Sequence, residues 1–189
     1  MPPGAIGSLR LKRGGSLSGY FQPVRIRAPE GARISLAEEG GFGGPESDNV
    51  LVGLQVGPVY RIRVADFSPD SSQEVFPTVE VIDRLYPPAG LALRFPIPIE
   101  LTADELKMAA DGMFVTRVIY VENPNQALPV REPEDEQQWV EAPHGADPLA
   151  VADEMGRPVA ILRIGARYPS ATSTAFDACP PPLMHYNAF

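Results

Sequence analysis

Pro58-Val59-Tyr60-Arg61-Ile62-Arg63-Val64 alternates apolar and mostly cationic side chains, and two further stretches, residues 23–27 and 158–164, repeat the same phrase. Because side chains of a β-strand point alternately to opposite faces, this pattern places the apolar residues on one face and the arginines on the other. We therefore expect three half-buried strands, each opened by a proline, whose arginines form the outer surface of a sheet. The copies begin at residues 23, 58 and 158, which is not the fixed period of a repeat protein.

The abundance of proline and glycine around these phrases favours a sheet protein. The 189 residues include 22 prolines and 17 glycines, which break helices and form the turns between short strands. Seven or eight short extended runs separated by turn signals predict a mainly β fold, an immunoglobulin-like β-sandwich. The predicted strands are residues 20–27, 33–37, 50–56, 58–64, 75–85, 91–99, 114–121 and 158–164.

Some of these strands also carry signals about their position. Residues 33–37 follow a tight turn and are expected to pair with the first strand as a hairpin. Pro96 and Pro98 confine residues 91–99 to a sheet edge, because proline has no N–H for the ladder. Residues 114–121 are β-branched or aromatic almost throughout, so we expect them to lie centrally.

Two short helical insertions interrupt the strands. Thr102 is followed three residues later by Glu105, which forms a capping box, and Gly112 provides a helix stop. Asp147 is expected to cap a second helix over residues 149–155, with a proline at its first position, where a missing N–H has no cost.

The composition divides the chain into an extended N-terminal arm (residues 1–19), a β-sandwich domain (residues 20–165) and an extended C-terminal arm (residues 166–189). Within the N-terminal arm, the alternation of residues 8–13 suits strand addition to the exposed sheet edge of a neighbouring subunit. The C-terminal arm carries aromatic residues of the kind enriched at interfaces. We expect a neighbouring copy to order both arms, with folding back on their own domain as the alternative.

The charge balance argues against two classes of partner. The chain has 16 basic and 24 acidic residues, and its net charge of −8 is unsuited to nucleic acid and to anionic membrane surfaces. No apolar run is long enough to span a bilayer. The start, Met1-Pro2-Pro3-Gly4, lacks the pattern of a signal peptide and fits either a flexible terminus or a chain written without its export signal.

Residues suited to catalysis or metal binding are few and scattered. The histidines are His144 and His185, and the single cysteine, Cys179, is either a free thiol or part of an intermolecular disulfide. A zinc site lacks the spacing it needs, and a nucleophile pair of Cys179 and His185 would lie in a proline-rich tail that does not hold a rigid geometry. The carboxylates of residues 132–136 indicate a solvated acidic loop, with a weak calcium site as the alternative. We therefore predict no catalytic residue, no cofactor and no metal.

Complementary charges indicate where copies of the chain would meet. A long polar loop (residues 122–147) carries acidic residues around the only tryptophan, whereas the N-terminal arm is basic. Cationic stripes on the strands would come from Arg25, Arg27, Arg61, Arg63 and Arg163. The predicted subunit-interface residues are Leu9, Arg10, Leu11, Lys12, Arg13, Glu134, Asp135, Glu136, Trp139, Tyr186 and Phe189.

Several segments of the body resemble a known group of proteins. They are Tyr20-Phe21-Gln22-Pro23-Val24 with Ala28-Pro29-Glu30-Gly31-Ala32, Val79-Glu80-Val81-Ile82-Asp83-Arg84 with Tyr86-Pro87-Pro88, and Phe114-Val115-Thr116-Arg117-Val118-Ile119-Tyr120 with Asp147-Pro148-Leu149-Ala150-Val151-Ala152. Over residues 4–168 the chain is similar to exported proteins of planctomycete-type bacteria, a group without an established activity. The resemblance implies export to the cell envelope and implies no catalytic residue.

The sequence thus predicts a non-enzymatic structural subunit of an extracellular or cell-surface polymer, a filament or layer of copies joined through their arms. The alternative is a monomeric envelope β-sandwich that binds a cell-wall glycan or a peptide through the loop at residues 122–147. The first hypothesis predicts an assembly of copies in solution. The second predicts a monomer whose tryptophan fluorescence responds to cell-wall sugars.

Overall fold

The computed structural model describes residues 3–12, 19–39, 41–44, 47–68, 72–125, 139–166 and 180–186. The chain is mainly β with two sheets, which confirms the predicted fold class at that level. The strands are β1 (Phe21–Arg27), β2 (Arg33–Glu38), β3 (Gly41–Phe42), β4 (Asn49–Gln55), β5 (Val59–Ala65), β6 (Thr78–Val81), β7 (Ile97–Glu100), β8 (Val115–Glu122), β9 (Gly156–Ile164) and β10 (Leu183–His185). The helices are α1 (Ala5–Lys12), α2 (Ala103–Ala110) and α3 (Pro148–Met155), with a 3-10 turn at Ala92–Arg94.

The strands form a four-stranded sheet in the order β10-β4-β1-β7 and a six-stranded sheet in the order β3-β2-β5-β6-β9-β8. β1 runs antiparallel to β4 and parallel to β7, whereas the paired neighbours in the six-stranded sheet are antiparallel. One buried apolar cluster draws on both sheets, with Val24 and Ile26 from β1, Ile62 from β5 and Leu162 from β9. The two sheets therefore share one core.

The three copies of the alternating phrase lie in β1, β5 and β9, and β5 shows the expected half-buried pattern. Tyr60, Ile62 and Val64 are buried, while the residues between them are partly exposed. In β9, by contrast, every residue from 158 to 164 is buried, because the core covers one face while α1 and α3 cover the other. The prediction that Arg163 lies on an outer charged surface is therefore wrong.

Two predictions about strand position are also wrong. Residues 33–37 do not pair with the first strand, because β2 pairs with β5 and the intervening turn carries the chain from one sheet to the other. β8 is not central, since its strand partner among the described residues is β9 alone. Its composition specifies a strand, whereas the connection through α3 decides its place in the sheet. The edge position predicted from Pro96 and Pro98 is confirmed, since β7 ends the four-stranded sheet.

Both predicted helical insertions are present. Thr102 accepts a hydrogen bond from the Glu105 backbone N–H and the Glu105 carboxylate accepts one from the Thr102 N–H, so the capping box at α2 is confirmed. Asp147 caps α3 by accepting from the Leu149 N–H at 3.0 Å, with Pro148 in the first turn. These local signals suffice because a cap satisfies donors within its own helix.

The described part of the N-terminal arm is a helix, so the strand expected over residues 8–13 is wrong there. α1 begins after Gly4, and the Glu80 carboxylate accepts hydrogen bonds from the backbone N–H groups of Gly4 and Gly7. Donors in the first turn of a helix have no intrahelical acceptor. A residue of the sheet that is distant in sequence thus supplies the cap. The local alternation of apolar and polar residues does not predict this contact.

Candidate protein-interaction site

A basic cleft lies on the four-stranded sheet where β7 runs beside β1. Its volume is about 350 Å³. The residues that define it here are Arg25, Arg27, Arg94, Phe95, Pro98 and Glu100. Parallel pairing sets Arg25 opposite Pro98 and Arg27 opposite Glu100. Because residues two apart on a strand share a face, both β1 arginines reach the same opening.

Among the described residues that line the basic cleft, positive charges outnumber negative ones. The Arg27 Nη1 atom lies 3.5 Å from Glu100 Oε1 in a partly exposed ion pair. Among the described residues, Arg25 and Arg94 have no hydrogen-bond or ion-pair partner for their side chains. Three arginines therefore face one carboxylate in a chain of net charge −8. A guanidinium donates paired hydrogen bonds to a carboxylate, so the cleft is complementary to an acidic group.

An aromatic wall accompanies this charge. Phe95 is 52% exposed and lies between Arg94 and a proline, at the mouth of the cleft. Exposed aromatic and arginine side chains are the types enriched at protein interfaces, whereas lysine and glutamate are depleted there. The combination favours a protein partner.

Sequence reasoning found the β1 half of the basic cleft and missed the other half. Residues 91–99 were predicted as one extended run, but Ala92–Arg94 form a 3-10 turn, in which the Arg94 N–H donates to Leu91 O at 2.9 Å. The turn brings Arg94 and Phe95 to the cleft before β7 begins. The signal available in the sequence was a cation and an aromatic residue directly before Pro96.

The predicted interface residues of the N-terminal arm lie on α1. Leu9 and Leu11 are 48% and 37% exposed, and Lys12 is exposed as well. The backbone of Arg10 belongs to the same helix, while Arg13 lies outside the described residues. Leu9 of α1 is therefore half exposed with respect to the described part of its own chain, whereas Leu11 also lies against Gly57.

The long polar loop (residues 122–147) is described over residues 122–125 and 139–147. Trp139 and Val140 are 72% and 59% exposed. Glu134, Asp135 and Glu136 lie outside the described residues, as do Phe189 and Cys179. Their predicted role at a subunit interface stays a prediction.

The described part of the C-terminal arm packs on the chain's own four-stranded sheet. β10 pairs antiparallel with β4, and the Tyr186 N–H donates to Leu51 O at 3.2 Å. The Tyr60 hydroxyl donates to Pro182 O and accepts from the Gln55 N–H, each at 2.8 Å. Burial raises the pKa of both Tyr60 and Tyr186. Tyr186, predicted at an interface between copies, thus lies against its own body.

Among the described residues, no group of three or more histidine, cysteine, aspartate or glutamate side chains is placed to hold a metal ion. None of the helices in the described ranges is long and apolar enough to cross a membrane. Comparisons with protein-family models, curated proteins and solved structures found no match to this chain. The basic cleft is therefore interpreted from its own geometry.

Proposed function

We propose that this protein is a non-enzymatic structural subunit, exported to the cell surface, that assembles with copies of itself. Its body is an immunoglobulin-like sandwich, and the contact between copies joins the basic cleft of one to the acidic segment (residues 132–141) of another. The observation that carries the proposal is the pair Arg25 and Arg94, which face an open cleft without an anionic partner among the described residues.

Charge complementarity selects the acidic segment as the occupant. Its sequence, Glu132-Pro133-Glu134-Asp135-Glu136-Gln137-Gln138-Trp139-Val140-Glu141, holds five carboxylates and no basic residue. Arginine–carboxylate pairs at an interface fix the register and accelerate association of the partners.

Trp139 supplies the apolar part of this contact. Its side chain is 72% exposed and Val140 beside it is 59% exposed, so neither is used by the described part of its own chain. Tryptophan binds cations through its ring face and is frequent among residues that dominate interface energies. Packing of Trp139 against Phe95, beside the cleft arginines, removes both exposed rings from water.

A contact of this kind joins two different surfaces, so it is a head-to-tail interface. Such interfaces produce rings when the rotation closes and filaments when it does not. Each copy offers one basic cleft and one acidic segment, so assembly continues from both ends of a growing chain of subunits. This matches a structural polymer better than a two-fold dimer.

Two complementary variants test the contact. R25E/R94E removes the basic cleft, and E134K/D135K/E136K removes the acidic segment. We expect each variant alone to lose the growth of large assemblies in light scattering, whereas in an equimolar mixture the intact cleft of one variant binds the intact segment of the other. The assembly of the unmodified protein should also weaken with salt, since ionic strength screens exposed charges.

A matched control separates this contact from a general effect of charge. R94E and K107E change the net charge equally, but Lys107 is exposed outside the cleft, so K107E should assemble like the unmodified protein while R94E should not. If R25E/R94E grows like the unmodified protein, or the mixture yields no complex between the two variants, the proposed contact is wrong.

A second candidate function is favoured by the exposure of Trp139 and Val140. In this alternative, the protein is a monomer that binds a cell-wall glycan or a peptide through the loop at residues 122–147. Titration with soluble peptidoglycan fragments should then change the tryptophan emission, and the R25E/R94E variant should respond equally. A monomeric mass at all concentrations together with this change would favour the alternative.

A further inference from the structure

α1 lies on the outer face of the six-stranded sheet and covers a small apolar cluster there. Ile6 is 7% exposed and packs with Ile82 and Ile161, with Val118 of β8 and Leu149 of α3 at the margin. This cluster is separate from the core between the sheets. We call this surface the α1 groove and define it by Gly57, Glu80, Ile82, Ile161 and Arg163.

Glu80 is the central residue of the α1 groove. Its side chain is fully buried, and its two carboxylate oxygens accept from the Gly4 and Gly7 backbone N–H groups, each at 3.0 Å. Arg163 Nη1 lies 3.1 Å from Glu80 Oε2 on the other side. Among the described residues, the other partners of this carboxylate are the N–H groups of Gly4, directly before α1, and of Gly7 in its first turn.

The position of Glu80 makes the groove specific for the start of a helix. A buried carboxylate is costly unless hydrogen bonds satisfy it. The first turn of a helix supplies both free N–H donors and the positive end of the helix dipole. The sheet thus presents an anion whose natural complement is a helix N-terminus.

A close backbone contact adds steric selection. A β-carbon on Gly7 would overlap the backbone of Gly57, which lies directly beneath it in the turn between β4 and β5. Gly57 has φ of +108°, a conformation that favours glycine. The groove therefore accepts a helix with glycine at this position and excludes helices with a side chain there.

The last turn of α1 is only partly covered by the described part of its own chain, although Leu11 lies against Gly57. Leu9 and Leu11 remain 48% and 37% exposed, although both belong to a docked helix. The sequence that follows, Gly14-Gly15-Ser16-Leu17-Ser18-Gly19, has the glycine–serine composition typical of linkers. Exposed leucines next to such a linker are expected where helices from two subunits cross between their bodies.

We infer that the α1 groove of one copy takes the N-terminal helix of a second copy, so that subunits exchange α1. Exchange preserves each contact made by Glu80, Ile6 and Gly7, because the same groove meets the same helix. It additionally brings Leu9 and Leu11 into a contact between subunits. This inference deepens the proposed self-association by adding a second contact, and it does not use the basic cleft.

The experiment uses the full-length R25E/R94E chain, in which contacts through the basic cleft are absent. Methyl-labelled and unlabelled chains are mixed and examined by isotope-filtered nuclear Overhauser spectroscopy, with light scattering on the same sample. We expect a dimer with cross-peaks between Ile6 methyls of one chain and Ile82 or Ile161 methyls of the other. A monomer, or a dimer with these cross-peaks only within one chain, overturns the exchange.

Matched variants on neighbouring helix positions identify the groove as the cause. G7V in the same background should abolish the dimer, because the added side chain meets Gly57. S8V alters an exposed residue of α1 and should leave the dimer fraction within twofold. Equal dimer fractions in G7V and S8V would contradict the exchange, whereas assembly through the basic cleft would still be judged by the mixing experiment with the charge variants.

Discussion

The two ends of the chain are attached to the body in different ways. At the N-terminal end, α1 is held by the Glu80 carboxylate, by the buried Ile6 side chain and by the contacts of Gly7 and Leu11 with Gly57. At the C-terminal end, β10 is held by backbone pairing with β4 and by the hydroxyl of Tyr60. The attachment of β10 uses the backbone N–H and C=O groups of several residues, which a substitution of one side chain leaves in place. The polar attachment of α1 depends on a single carboxylate. Single substitutions should therefore release α1 more readily than β10.

Replacing Glu80 with alanine is the strongest way to break the N-terminal attachment. The change removes both acceptors of the α1 turn and leaves the buried Arg163 guanidinium without its carboxylate. Removing one partner of a buried ion pair costs about 3–5 kcal/mol. We expect a loss of that size in the free energy of unfolding measured with urea.

Glu30→Ala is the matched control for this prediction. Glu30 is exposed in the turn after β1, so its loss should change stability by no more than about 0.5 kcal/mol. Similar losses in the two variants would mean that the burial of Glu80 does not contribute as the structure indicates.

Replacing Ile6 with alanine tests the apolar half of the same attachment. The side chain fills the small cluster with Ile82 and Ile161, and removing it should cost about 2 kcal/mol, at the low end for a buried isoleucine. Leu9→Ala removes a similar side chain from the exposed face of the same helix and should cost under about 0.5 kcal/mol. Hydrogen exchange of the α1 amides, measured for both variants, should accelerate only in Ile6→Ala; equal acceleration would contradict the docked position of Ile6.

The same contrast explains which parts of the fold could be predicted from sequence. The caps at Thr102 and Asp147 are local, and both helices were predicted from them. The cap of α1 comes from Glu80, more than 70 residues away in the sequence. The local alternation of residues 8–13 therefore predicts a strand where the structure forms a helix. Local rules describe an element whose partners are near in sequence, and they fail where the partner is distant.

The burial of β9 on both faces is a second property that the alternating pattern does not predict. The run Val159-Ala160-Ile161-Leu162 is continuously apolar, which is typical of a strand covered on both sides. That signal was present, but the phrase was interpreted by likeness to residues 58–64. The consequence was a wrong surface position for Arg163, whose charge is neutralised by Glu80.

The basic cleft was predictable only in part for a similar reason. Arg25 and Arg27 follow from alternation along β1. Their neighbours across the cleft depend on parallel pairing with β7, which is more than 65 residues further along the chain, and on the turn before it. The choice of which strands pair within a sheet depends on the packing of the whole core. No single stretch of sequence determines that packing.

Replacing Tyr60 with phenylalanine tests the C-terminal attachment and should have a smaller effect. The hydroxyl donates to Pro182 O and accepts from the Gln55 N–H, so its removal leaves that N–H without this acceptor. The expected cost is about 1 kcal/mol, the usual net value of a hydrogen bond. Tyr86→Phe removes a hydroxyl from a side chain that is 65% exposed and should be neutral in the same urea titration. Because backbone pairing persists, β10 amides of Tyr60→Phe should stay protected; full loss of their protection would contradict the comparison of the two ends.

The smallest expected effect is a change in the free energy of unfolding at alkaline pH. It reports on the burial of the Tyr60 hydroxyl. Burial raises the pKa of its hydroxyl above the ordinary value of 10.0, so the folded state holds the proton more tightly than the unfolded state does. This contribution is complete below the unfolded pKa and is lost as pH rises through the folded pKa. The difference in unfolding free energy between the unmodified protein and Tyr60→Phe should therefore shrink above about pH 10. Tyr120 and Tyr186, whose pKa values are also raised by burial, titrate in both proteins and cancel in that difference. A difference that grows with pH would mean that the hydroxyl is not buried beneath the C-terminal arm.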